Sequence, residues 1–324
     1  MKMLIKRARA NTASDSMKFL GFSALFAAAL VLALSGCTTT RPANDGSGRL
    51  RVAVDIYPYE FIAQQIGGDK VDVVRLFPDG VEPHTYEPAP QDIVAIQQAD
   101  FFVYNGIPMN SFEAGFVKNS AGNLKIISAS DGIRLLRSSD SGESVPGENG
   151  IAYNPHIWLD PQNMIIISRH MEAAFENASP SNAGYFRNNT ETLISRLEAL
   201  DSNLSAQAAA FKKREYVGFH PAFNYFNRKY NLSYAANIEE IAGIEPSAQE
   251  MAGILDIVKA HNLTAIYAEP LFDPRSANAI SREAGVQVLY LSPMDSITKS
   301  DRAAGRDYFS IMQANMDALG QSLN

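Results

Sequence analysis

A chain of 324 residues, 46% hydrophobic and 19% charged, has room for two domains and the composition of a packed globular protein, which excludes a disordered or fibrous chain. Its formal net charge of −7 speaks against nucleic acid and anionic lipid surfaces as partners. The single cysteine, Cys37, excludes an internal disulfide, so the core must hold without a cross-link.

The basic residues Lys2, Lys6, Arg7, Arg9 and Lys18 precede an apolar run from Phe19 to Leu34. The run is short for a membrane span and reads as a secretory signal. Met17 offers a second start, with Lys18 as its basic region. The run ends in Leu34-Ser35-Gly36-Cys37, which resembles a bacterial lipobox. That resemblance implies cleavage before Cys37 and attachment of lipid to it, so residues 1–37 are expected to be a lipoprotein signal peptide. Residues 38–48, rich in Thr, Ser, Gly, Asn and Pro, are expected to form a flexible tether. Loss of residues 1–37 removes five Lys or Arg and one Asp and takes the net charge from −7 to −11.

Beyond the tether, apolar strands alternate with helical segments. Leu50 to Ile56 predicts a strand, Glu60 to Ile66 a helix stopped by Gly67-Gly68, and Val71 to Phe77 the next strand. The loop from Pro78 to Pro90 contains Glu82-Pro83-His84. A helix is expected from Pro90 to Ala99, a short strand from Phe101 to Tyr104, a helix from Ser111 to Lys118 and a strand from Leu124 to Ile127. This alternation predicts a mainly parallel α/β sheet. Ser138 to Gly150 forms an acidic loop that leads into Asn154-Pro155-His156-Ile157-Trp158-Leu159, and Asn163 to Asn177 is a further helix.

One long helix is expected from Ser179, as N-cap, to about Lys213. Phe186, Thr190, Leu193, Leu197, Leu200, Leu204, Ala208 and Phe211 recur three or four residues apart as one apolar stripe. At 1.5 Å per residue the helix would be roughly 45 Å long. It reads as a rod between two lobes, 49–178 and 214–324, with 179–213 as the link. After it, Tyr216 to Phe219 is a strand ending at His220, Phe223 to Tyr230 a helix, and Ser247 to His261 another. Ala265 to Ala268 is a strand ending at Glu269, Pro274 to Ala284 a helix, and Val286 to Leu291 a strand followed by Asp295. A last helix is expected from Asp301 onward. The fold class is therefore α/β, with two lobes, each a mainly parallel sheet flanked by helices.

Of the five histidines, His170 lies inside a helix and His261 in the last turn of one, where the helix dipole accounts for it. His84, His156 and His220 each adjoin a proline in a loop or at a strand end, the places where parallel α/β folds hold ligands. Three imidazoles with a carboxylate suit a tetrahedral first-row metal, Zn²⁺ foremost. Mg²⁺ or Ca²⁺ would call for oxygen ligands. Three carboxylates compete for the fourth position: Glu269, Asp273 and Asp295. Asp273 precedes Pro274 at a helix start, which an N-cap role explains. Glu269 could be a ligand or could orient His220. A zinc hydrolase is the competing reading, with Glu269 or Asp160 as general base, and it would require a coordination position open to water.

Four stretches carry a wider resemblance: Glu82-Pro83-His84 with Tyr86-Glu87-Pro88, Asn154 to Leu159, Gly218-Phe219-His220-Pro221 and Gly243-Ile244-Glu245-Pro246-Ser247. Together, and in this order, they resemble the zinc/manganese solute-binding lipoproteins of ABC importers, cluster A-I, from about Leu50 to the C-terminus. The resemblance implies two α/β lobes joined by one rigid helix, with the metal between them. It implies His84, His156, His220 and Asp295 as ligands; Glu269 and Asp160 stay as supporting or alternative groups on their own positions in the sequence. It also implies a monomeric, non-enzymatic binding protein, lipid-anchored outside the cytoplasm, that serves an ABC permease and its ATPase. Manganese members usually carry Glu where this chain has His220, so the match favours Zn²⁺, with Mn²⁺ as the alternative cargo. Many zinc members have a His-rich loop before the second ligand; Ser138 to Gly150 has none.

Overall fold

The computed structural model describes residues 48–119, 124–138 and 152–324. The expected signal peptide with Cys37, all but the end of the tether and nearly all of the acidic loop lie outside the described residues. Among the described residues, no helix is long and apolar enough to cross a membrane.

The first sheet is built from β1 (Leu50–Val54), β2 (Val71–Arg75), β3 (Phe101–Tyr104) and β4 (Lys125–Ser128). Its order is β2-β1-β3-β4, and every pair is parallel. Helices α1 (Tyr57–Gly67), α2 (Pro90–Gln97) and α3 (Ser111–Asn119) make the crossovers. The second sheet contains β5 (Glu215–Gly218), β6 (Ser233–Asn237), β7 (Ala265–Ala268) and β8 (Gln287–Tyr290) in the equivalent order β6-β5-β7-β8, again all parallel. Between the sheets run α4 (Pro161–Ala178) and the long α5 (Ala183–Ala210); in the second half follow α6 (Asn224–Tyr230), α7 (Ala248–Ala260), α8 (Arg275–Ala284), α9 (Lys299–Ala303) and α10 (Tyr308–Leu323). In each sheet the chain reverses its direction of progress between the two central strands. The crevice beyond their carboxyl ends is where such sheets hold ligands.

Helix α5 has 28 residues, about 42 Å at 1.5 Å per residue, and is shorter at both ends than the expected span from Ser179 to about Lys213. At its start, Pro180–Asn182 form a separate 3₁₀ turn. At its end, Phe211 turns to extended backbone, because the amides of Lys212 and Lys213 both donate to the carbonyl of Leu323, at 2.8 and 2.9 Å, and pull the chain toward the end of α10. The stripe itself is buried, from Phe186 through Leu193, Leu197 and Leu204 to Ala208. It packs on α1, α4 and α10. Each such large apolar side chain contributes about 1.5–3 kcal/mol by leaving water. The same core holds Trp158 and Tyr59 of the first lobe together with Tyr216, Tyr267 and Leu291 of the second. The long helix is thus a wall of a shared core as well as a link.

Two further elements differ from expectation. Strand β6 adds an edge to the second sheet that its sequence, Ser-Tyr-Ala-Ala-Asn, announces weakly: its alanines offer little apolar surface. The C-terminal helix is two helices, because Gly305 takes φ +68° and Asp307 caps a new start by accepting from the Ser310 amide.

Candidate metal centre

Each sheet sends loops from its carboxyl edge into the space between the lobes. His84 sits in the loop after β2. The Glu82 carboxylate shapes the turn by accepting from the amides of His84 and Thr85, both at 3.1 Å, while Asn110 Nδ2 donates to the Pro83 carbonyl at 2.7 Å. His156 leads into a short 3₁₀ turn, Ile157–Leu159, and is fully buried. His220 follows β5 and is equally buried.

Each ring meets an oxygen on its Nδ1 side. His84 Nδ1 lies 3.0 Å from the Met109 carbonyl, which can only accept, so Nδ1 carries the proton. His156 Nδ1 lies 3.1 Å from Asn154 Oδ1. The orientation of that amide follows from its other bonds: Oδ1 accepts from the His156 amide at 3.0 Å and Nδ2 donates to the Pro221 carbonyl at 2.8 Å. His220 Nδ1 lies 2.8 Å from Glu269 Oε1. With Nδ1 of His84 and His156 hydrogen-bonded and that of His220 beside Glu269, the Nε2 lone pairs face one another: His84 to His156 and His156 to His220 are both 3.3 Å apart. Lone pairs at that distance repel unless a cation lies between them. A tetrahedral zinc with Zn–N bonds of about 2.0–2.1 Å separates its ligands by about 3.3–3.4 Å. The donor set and its spacing therefore fit zinc.

Asp295 comes from the loop after β8 and is 1% exposed. Its Oδ1 accepts from the Ser296 amide at 2.7 Å, but its buried Oδ2 has no hydrogen-bond partner among the described residues. A ligand atom of Asp295 falls within 4.8 Å of ones from His84 and Glu82, just as those of the three histidines fall within 4.8 Å of one another. In the sequence Glu82 stands only as part of a motif. Its position two residues before His84, in the same proline-bounded loop, is the signal that a second carboxylate lies here.

Other candidates lie elsewhere. Asp160 is the N-cap of α4 and accepts from the Gln162 amide at 3.0 Å; it belongs to neither group of converging donors. Asp273 accepts from the Arg275 amide at 3.0 Å and from its guanidinium at 2.7 Å at the start of α8. His261 pairs with Glu215 at 2.7 Å, and His170 stays on α4.

Electrostatics favour a cation here. Burial pushes His156 well below the ordinary histidine value, and the two neighbouring imidazoles push it further. Burial also lowers His84, against an opposing pull from Glu82. Both rings are therefore neutral near pH 7, the form that binds metal. Burial raises Asp295 well above the usual carboxylate range, and the charges of Glu82 and Glu269 add to this. Glu269 is raised in the same way. A dication in the cleft would reverse these costs by supplying the missing counter-charge.

Parallel sheets in the same strand order, with three imidazoles turned toward one point between them, define a two-lobed α/β protein with a metal-competent cleft. Residues 52–322 match the family model of the zinc-uptake complex component A periplasmic proteins, ZnuA. The chain belongs to that family. It is 33% identical to the high-affinity zinc uptake system protein ZnuA of Bacillus subtilis, over 94% of this chain and 98% of that one. It is 32% identical to the zinc-binding lipoprotein AdcA of Streptococcus pneumoniae, over 93% of this chain but only 60% of that longer protein. The Zn(II)-bound ZnuA-like domain of S. pneumoniae AdcA matches it with a TM-score of 0.70 at 31% identity, over 85% of this chain and 99% of the domain.

Proposed function

We propose that this protein captures one Zn²⁺ outside the cytoplasm and delivers it to an ABC permease, driven by its ATPase, for uptake. The observation that carries this reading is the pair of 3.3 Å Nε2–Nε2 separations that join His84, His156 and His220. These three atoms are the proposed nitrogen ligands. Asp295 is the proposed fourth, because its buried Oδ2 is left without a donor. Glu269 holds His220 by Nδ1, as Asn154 holds His156 and the Met109 carbonyl holds His84. Fixing Nδ1–H in this way leaves Nε2 free as the donor to metal. The raised Asp295 carboxyl gives up its proton as zinc arrives, so capture releases a proton.

The names of the relatives, a zinc uptake protein and a zinc-binding lipoprotein, support zinc over Mn²⁺, as does a third imidazole in place of a carboxylate. With Asp295 closing the coordination sphere, no position remains for a reactive water, which supports a carrier over a hydrolase. In this reading residues 1–37 are the signal peptide, Cys37 is the lipid anchor and 38–48 the tether. The lobes 49–178 and 214–324, linked by 179–213, hold the cargo. The deciding experiment is metal analysis of protein purified without added metal, followed by competition between Zn²⁺ and Mn²⁺. One zinc per chain that Mn²⁺ displaces only in large excess supports the reading; preferential retention of Mn²⁺, or no bound metal at all, contradicts it.

A further inference from the structure

The two sheets use their equivalent crevices differently. In the second sheet, the residues just past β5 and β7 include His220 and Glu269, which face each other in the cleft. In the first sheet, the residues just past β1 and β3 are Asp55 and Asn105, both with no exposed surface. The Asn105 amide donates to Asp55 Oδ2 at 2.6 Å and the Ile56 amide to Oδ1 at 2.6 Å. A third fully buried group, Glu113 on α3, accepts from the Met109 amide through Oε2 at 2.7 Å. Its carboxyl lies beside that of Asp55, and its Oε1 meets no N–H or hydroxyl donor.

Two buried carboxylates side by side repel each other, so one of them is expected to hold a proton. Asp55 already receives two backbone N–H bonds and Glu113 only one, so the charge belongs on Asp55 and the proton on Glu113. Burial points the same way, raising Asp55 to about 6 and Glu113 well above its ordinary value, with the negative Asp55 raising Glu113 further.

The cluster reaches both imidazoles of the first lobe. Glu113 grips the Met109 amide, and the Met109 carbonyl receives His84 Nδ1–H at 3.0 Å. Asn105 Nδ2 donates to the Pro155 carbonyl, next to His156, at 2.8 Å. We infer that Glu113, as the protonated partner of Asp55, is a positioning residue that holds the Met109 peptide and so keeps His84 in the tautomer that offers Nε2 to the metal. This rests on the zinc-binding reading above. With the Met109 peptide released, the His84 proton could move to Nε2 and block the donor.

The test uses the whole protein, stripped of metal, with zinc titrated against a chelator. Glu113→Gln keeps every bond, since its carbonyl still accepts from Met109 and its N–H still reaches Asp55; zinc affinity should stay within about twofold. Glu113→Leu removes both bonds and should lower affinity by about tenfold or more. Asp55→Asn turns an NH₂ group toward a backbone N–H and should also weaken binding. If Glu113→Leu does not fold, nitrogen NMR of zinc-free wild type and Glu113→Gln decides, because both should show His84 protonated at Nδ1. The idea is overturned if Glu113→Gln loses as much affinity as Glu113→Leu, if Glu113→Leu binds like wild type, or if wild-type His84 is protonated at Nε2. Failure of the wild type to bind zinc would overturn the functional reading instead, while the tautomer measurement would still decide the role of Glu113.

Discussion

The indole N–H of Trp158 donates to the carbonyl of Pro293 at 2.6 Å. Trp158 lies two residues past His156, and Pro293 two residues before Asp295, so one hydrogen bond ties the metal-facing loops of the two lobes. Trp158→Phe keeps most of the packing and leaves the Pro293 carbonyl without its donor. We expect a loss of about 1–3 kcal/mol in stability and a fall in zinc affinity of about tenfold. Thermal unfolding with and without zinc measures both; a variant that loses stability but binds zinc like wild type would show that the bond serves the fold alone.

The ligand set predicts an ordering among substitutions. His156→Ala should cost far more zinc affinity than His170→Ala, because His170 stays on α4 away from the converging Nε2 atoms. Asp295→Ala should lower affinity and admit water to the metal, while Glu269→Gln should cost less, since Glu269 acts on His220. Calorimetric titration of the four variants checks the ordering. Equal losses for the two histidines, or a greater loss at Glu269 than at Asp295, would require a different assignment.

Protons compete with zinc at two kinds of group. The imidazoles of His84 and His156 have lowered values, so their competition is displaced below the ordinary value of about 6.5. The Asp295 carboxyl is raised, so it still holds a proton above the usual carboxylate range. Both effects have the same sign: every proton bound must leave before zinc enters. Affinity should therefore fall steadily as pH drops from 8 to 5, measured by competition with a chelator of known proton affinity. A flat profile over that range would argue against the raised Asp295 carboxyl as a ligand, since the lowered imidazoles compete mainly at its acid end.

Because α5 is a wall of a core shared by both lobes, swinging one lobe on the other would tear packed side chains apart. Metal release should therefore involve the loops around His220 and Asp295 and leave the lobes in place. Solution scattering of zinc-free and zinc-bound protein should give nearly the same radius of gyration; a clear change on zinc binding would refute this.

The proposed anchor has a simple test. Cys37→Ala should release the protein from membranes or block its processing, as seen by fractionation and by the mass of the product. Normal cleavage with undiminished membrane retention would disprove lipid attachment at Cys37.

Much of this fold is legible in the sequence because its signals are local. Valine-rich strands alternate with helices, and the stripe from Phe186 to Ala208 marks one long helix. The prolines beside His84, His156 and His220 mark loops at strand ends. What is not legible depends on contacts made at long range. Strand β6 exists because β5 offers it an edge, a fact its own alanines do not record. Asn154 reads as the start of a motif, and only the fold shows that it joins His156 to the Pro221 carbonyl. Asp55 and Glu113 are separated by two strands and two helices, so nothing in their neighbourhoods along the chain suggests that they share a proton.

The donors that converge in the cleft come from loops spread between His84 and Asp295, and the last of them follows β8. Until that strand joins its sheet, the imidazoles belong to separate parts of an unfinished chain. A chain that has not yet reached β8 has no complete cleft to fill. Copper outcompetes zinc for most nitrogen sites, so donor chemistry alone does not guarantee the cargo. Completing the cleft only with its last strand makes the choice of metal a matter of place: the ion taken is one present where folding ends.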